Sequence, residues 1–188
     1  MPDCYARYQR LAFDRPHPRV LRVSMSNPGK LNAADAVMHE ELAAIWRDVD
    51  ADPEVSSVIL TGAGKAFSAG GDFEMIGRII DDFPTRARVW KEARDLVYNV
   101  IHCSKPVVSA MRGPAVGAGL VCGLLADISI AANNTTYAIY QVYISAVGHQ
   151  TTEIGNLAWK FSRPVMMYSL REAPARELAA PEAAAASH

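Results

Sequence analysis

The chain has 188 residues, is 50% hydrophobic and 21% charged, and carries a formal net charge of -1. That length supplies one domain with a sizeable core, and the balanced charge offers no basic stripe with interleaved aromatics, so no nucleic-acid partner is expected. The longest apolar run, residues 115–126, is too short to span a bilayer and is closed by Asp127, so no membrane partner is expected either.

The N-terminal residues lack the apolar core of a signal peptide. Cys4, Cys103 and Cys122 are odd in number, widely spaced and form no metal-ligand pattern. They suit a reducing, cytoplasmic setting without a disulfide framework, and no metal is expected.

Residues 8–13 and 19–26 read as two strands joined by a proline-containing turn. In the second, Leu21, Val23 and Met25 alternate with Arg22, Ser24 and Ser26, which gives one buried and one wet face. Asn-Pro-Gly-Lys at 27–30 breaks the chain. Asn32 then reads as the N-cap of a helix with Asp35 in its first turn, running to about Asp50. Met38, Leu42, Ile45 and Val49 form its apolar stripe, and His39 and Glu40 fall off it, onto an expected solvated face.

A buried strand at 55–60 leads into a loop containing Gly62, Gly64, Gly70 and Gly71. Residues 73–83 read as a short helix, and Pro84 opens a longer one to about Ser104 with Trp90, Val97 and Ile101 on its inner face. Residues 106–111 form another apolar strand, 112–119 a second glycine turn, 120–125 a helix and 127–132 a strand. The order is ββαβααβαβ, a mixed α/β chain without simple repeats. After Asn133 the character changes: residues 133–147 are β-branched and aromatic enough for a strand or two. Residues 171–188 are Ala-rich, interrupted by Pro174 and Pro181, and read as a disordered tail on a domain of residues 1–170.

The two glycine turns miss the phosphate-binding patterns. A Walker loop needs Ser or Thr after its lysine, but Lys65 is followed by Ala66. A dinucleotide fingerprint needs a third glycine where Phe67 and Cys122 stand. Two readings remain: tight turns and nothing more, or a pair of backbone N–H groups aimed at one point, as in an oxyanion hole.

Residues 65–76, KAFSAGGDFEMI, resemble the first oxyanion loop of the crotonase (enoyl-CoA hydratase/isomerase) superfamily. Residues 112–132, preceded by KPVVSAM, resemble its second, and residues 27–42 resemble its N-terminal strand–turn–helix. The resemblance covers roughly residues 10–133 and implies a crotonase-like α/β fold, a spiral of ββα units. It implies an acyl-CoA thioester as the ligand, with coenzyme A part of the substrate and no separate cofactor. The donors would be the backbone N–H groups of Gly71 and Ala118, with Lys30, Leu31, Ser68, Ala69 and Asp72 along the coenzyme A groove. Asp127 would be structural.

The departures from the family matter too. Hydratases of the family place glutamates where this chain has Val121 and Gln141. Valine transfers no proton, and glutamine can orient a water without deprotonating it. His149 and Glu153 are the remaining acid–base candidates, while Glu74 is expected to face solvent and Tyr140 and Tyr143 to pack. The resemblance thus implies a family enzyme that is a poor hydratase or, alternatively, an inactive acyl-CoA-binding module or truncated remnant. The chain stops short of the usual family length. The family's trimeric or hexameric assembly is therefore in question, and the apolar faces of 120–125 and 137–147 are expected to be less covered, favouring self-association.

Overall fold

Alternation of apolar side chains starts the sheet. The computed structural model describes residues 3–138 and the backbone of one later strand, 167–170. In β2 (Val20–Met25), Leu21, Val23 and Met25 are fully buried and Arg22 is exposed. β1 (Leu11–His17) pairs with it antiparallel, Leu11 opposite Met25. The strand begins later than residue 8 because the Gln9 and Arg10 N–H groups donate to the Glu41 carboxylate, at 2.6 and 2.8 Å. It also runs through Pro16, which an edge strand tolerates. Only Pro18 and Arg19 make the turn, Arg19 with φ 64°.

Helix α1 (Ala36–Ala51) is capped by Asp35, not Asn32: the Asp35 side chain accepts from the Met38 N–H at 2.9 Å. Met38, Leu42, Ile45 and Val49 are fully buried as the spacing predicts. His39 is buried with them, contrary to the solvated face expected, because its Nδ1 lies 2.8 Å from Oε2 of Glu92 on a later helix. Glu40 is exposed.

After β3 (Ser57–Gly62) come α2 (Phe73–Asp81) and α3 (Phe83–His102). The buried residues of α3 are Val89, Leu96 and Val100, one position back from Trp90, Val97 and Ile101. One residue is about 100° of helix. The rotation follows polar contacts with α1: besides Glu92 to His39, the Asn99 side chain donates to the Ala43 carbonyl at 2.7 Å.

β4 (Val107–Met111), β5 (Pro114–Val116), α4 (Gly117–Leu125), β6 (Ile128–Ala132) and β7 (Thr136–Ala138) complete the continuous part. The second glycine turn thus contains a short strand, and α4 starts at Gly117, three residues before the expected start. The main sheet has the order β1-β2-β3-β4-β6-β8, where β8 is Met167–Leu170; every pair after β1–β2 is parallel. α1 links β2 to β3, α2 and α3 link β3 to β4, and β5 with α4 link β4 to β6.

Each turn of this spiral also contributes to a second, smaller ladder. Ala34 bridges Gly71, Ser68 bridges Ala115, and β5 pairs with β7, all parallel. The two glycine-rich segments are neighbours in that ladder. α4 is well covered: Leu120 and Cys122 are buried, and Val121, Leu124 and Leu125 are half-buried. Among the described residues the most exposed large apolar side chains include Phe73, Ile80 and Phe83, on α2 and at the start of α3. No helix among the described residues is long and apolar enough to cross a membrane.

Candidate active site

The loop after β3 is held from outside by one side chain. Asn32 is buried, with φ 58°, a left-handed conformation that asparagine adopts more readily than most residues. Its Nδ2 donates to the carbonyls of Ala63 and Ala66, both at 2.8 Å, and its Oδ1 accepts from the Asn27 N–H at 3.1 Å. Its own carbonyl accepts from the Ser68 hydroxyl at 2.9 Å. Asn32 thus ties the end of β2 to the loop, a better use of its side chain than the cap predicted for it.

Further along, the Ala34 N–H donates to the Gly70 carbonyl at 2.7 Å and the Asp72 N–H to the Ala34 carbonyl at 2.9 Å. Gly71 lies between those two bonds. The Gly70 carbonyl and the Gly71 N–H belong to one trans peptide and point opposite ways, so the Gly71 N–H points away from Ala34, toward the next ladder strand.

That next strand is β5, and its end is the start of α4. The Val116 N–H donates to the Ser68 carbonyl at 2.9 Å, and Val116 supplies no side-chain cap. The following N–H groups, including that of Ala118 at the second helical position, have no intrahelical acceptor. Gly117 has φ 54°, and a Cβ on it would stand 3.4 Å from Cα of Gly70 and 3.9 Å from N of Gly71. The backbone angle is what requires glycine here, and the distances put the two arms in van der Waals reach. Two residues on, Gly119 is what lets the arms touch: a Cβ there would lie 2.2 Å from Cβ of Ser68.

The electrostatics of the two arms differ. α2, which starts after Gly71, is capped by Asp72, whose carboxylate accepts from the Glu74 N–H at 2.9 Å and pairs with Lys30 Nζ at 2.6 Å. The hydrogen bond from Lys30 holds the Asp72 carboxyl below the usual carboxylate range, and the same bond raises the Lys30 ammonium. The positive end of α2 is thus partly neutralised, whereas that of α4 has no side-chain cap. An uncapped helix start beside an outward-pointing N–H suits an oxygen that gains negative charge.

Of the other residues singled out from the sequence, Leu31 is 52% exposed at the loop's edge and its carbonyl accepts from the Ala69 N–H at 2.9 Å. Ser68 is fully buried in the junction between the arms. Val121 is half-buried on α4, one turn on from Ala118. Burial pushes the neighbouring Cys122 thiol up to about 12, which leaves it an inert packing group. Asp127 accepts from the Val107 N–H at 2.9 Å. Glu74 is exposed and pairs with Arg78 on its own helix. Gln141, His149, Glu153, Tyr140 and Tyr143 lie outside the described residues. No group of three or more His, Cys, Asp or Glu among the described residues could hold a metal ion.

A family model described as enoyl-CoA hydratase/isomerase matches residues 17–152, past the change in character at Asn133. The chain is 33% identical over 138 residues to a mevalonyl-coenzyme A hydratase of Beauveria bassiana, covering 70% of this chain and 49% of that protein. It is 38% identical over 112 residues to a probable enoyl-CoA hydratase of Mycobacterium tuberculosis, covering 60% and 43%. A crystal structure of an enoyl-CoA hydratase/isomerase from Mycobacterium paratuberculosis superposes with a TM-score of 0.68 at 33% identity, covering 72% of this chain and 54% of the other. The chain spans about half the length of these curated relatives. Paired glycine arms, the spiral that joins them and the family match all agree: this chain belongs to the enoyl-CoA hydratase/isomerase family.

Proposed function

We propose that the chain binds an acyl-CoA thioester and stabilises the enolate form of its carbonyl through the N–H groups of Gly71 and Ala118. The observation that carries this reading is the contact of the two arms at Gly117, which sets the Gly71 N–H beside the uncapped start of α4. An oxygen gaining charge there would meet two backbone donors that need no reorganisation. Lys30, Leu31, Ala69 and Asp72 lie at the rim of the first arm, where the family likeness assigns coenzyme A.

The chemistry stops short of efficient hydration. Adding water to a conjugated double bond needs one proton removed from water and one delivered to the α-carbon. Positioned acid–base groups typically supply about 10²–10⁴-fold each way, and Val121 supplies nothing. His149 and Glu153 remain the acid–base candidates of this proposal. Hydration of crotonyl-CoA, followed by loss of enoyl-thioester absorbance, stays near background. Robust hydration would mean that a group after Ala138 has taken the role.

The half-buried aliphatic Val121 also favours a second reading, an acyl-CoA-binding module without turnover. Calorimetric titration with several acyl-CoAs, alongside turnover of the same panel, separates the two. Binding with turnover supports the enzyme, and binding alone supports the module. A folded sample that binds none of them refutes both.

A further inference from the structure

We propose that Ser68 is a positioning residue that fixes the direction of the Gly71 N–H relative to the start of α4; this rests on the thioester reading above. Ser68 is fully buried and touches both arms. On the first arm its hydroxyl donates to the Asn32 carbonyl at 2.9 Å and accepts from the Gly70 N–H at 3.3 Å. On the second, its N–H donates to the Pro114 carbonyl and its carbonyl accepts from the Val116 N–H, both at 2.9 Å. Its Cβ sits against the bare backbone of Gly119, where a side chain would come within 2.2 Å.

The two sets of contacts do different jobs. The backbone pair with β5 joins the arms and survives any side chain at 68. The hydroxyl instead restrains the Gly70 N–H, one peptide before the donor. Gly70 has φ 94° and no side chain of its own to resist rotation. Without the hydroxyl, the Asn32 carbonyl and the Gly70 N–H lose their shared partner, and the peptide that carries the Gly71 N–H is left with the bond from the Ala34 N–H to its carbonyl, 2.7 Å, as its remaining restraint on that side. The arms stay joined, but one donor is aimed less tightly.

A direct readout is the carbonyl stretch of carbonyl-labelled butyryl-CoA, measured by infrared difference spectroscopy on the full chain. Bound to the unchanged protein, the stretch moves to lower frequency, as a polarised carbonyl requires. In Ser68→Ala that downshift falls to roughly half or less, while the dissociation constant changes by less than about threefold. Ser68→Cys, with a weak donor of similar shape, gives an intermediate downshift, and it carries the test if the alanine variant does not fold. Ser109→Ala is the matched control: it removes a buried hydroxyl bond, 2.7 Å to the Gly123 carbonyl, from the other end of α4, and leaves the downshift intact. An unchanged downshift in the folded Ser68 variants overturns the role of Ser68 and spares the thioester reading. An equal loss in Ser109→Ala overturns it too, since general loosening then explains the effect. No downshift in the unchanged protein overturns the thioester reading, and the role of Ser68 with it.

Discussion

The first arm of the site is held by side chains as well as by backbone, whereas the second is held by backbone. Besides their backbone bonds to Leu31 and Ala34, residues 63–72 hang on the Asn32 amide, the Ser68 hydroxyl and the Asp72 carboxylate. Residues 114–119 are fixed by the β5–β7 pairing, by two backbone bonds to Ser68 and by the onset of α4, with no side-chain cap. The first arm can therefore be loosened by ordinary substitutions. The second yields mainly to changes in the backbone itself, at a glycine or by a proline. The contrast also divides the electrostatics: the helix start beside Asp72 is screened, and the one beside Ala118 has no side-chain cap.

The sharpest way to break this comparison is to remove a donor from the backbone-held arm. Ala118→Pro deletes one N–H within the first helical turn, where the ring is tolerated. Loss of such a donor typically costs about 2.7–4 kcal/mol of transition-state stabilisation, so steady-state turnover of the best acyl-CoA falls by about 10²–10³-fold. A variant with unchanged kcat would show that α4 supplies no donor.

The side-chain-held arm predicts a stability effect instead. Asn32→Ala leaves the Ala63 and Ala66 carbonyls without their shared donor and costs about 1–3 kcal/mol in urea unfolding. Asn32→Asp is no better, because its carboxylate sets an oxygen against those two carbonyls. A neutral result for both would mean that the loop holds its shape alone.

The smallest effect lies at the rim. Asp72→Ala loses the cap of α2 and about 1 kcal/mol at neutral pH. The folded protein holds the Asp72 carboxyl below its ordinary range, chiefly through Lys30. Its stabilisation is therefore full above the ordinary carboxylate range and is lost as pH falls through the lowered value. The gap between Asp72→Ala and the unchanged chain narrows on the acid side, which thermal unfolding at a series of pH values would detect. A gap that stays constant into acid would assign the loss to packing.

Much of this arrangement was legible in the residue order. Period-two and helical spacing located β2, α1, α2, β4 and β6 within a few residues, and the glycines marked both arms. The misreadings share one cause. His39 is buried by a partner 53 positions away, Glu41 takes the N–H groups that would have lengthened β1, and Asn32 turns inward to carbonyls over 30 positions on. Periodicity reports how apolar a position is, but it does not report a distant polar partner. An asparagine at 32, close behind Asn27-Pro28-Gly29, was the local signal for the clamp, since asparagine takes a left-handed backbone more readily than most residues. α3 was misrotated for the same reason, since Glu92 and Asn99 set its inner face as much as its apolar residues do.

The central claim is that the two arms grip a thioester carbonyl. It is tested most directly by calorimetric comparison of butyryl-CoA with the matching butyl thioether of coenzyme A, which differs only in lacking that oxygen. Two net hydrogen bonds of about 0.5–1.5 kcal/mol each predict that the thioester binds about tenfold more tightly, with the advantage reduced in Ala118→Pro. Equal affinities for the two ligands would contradict the account.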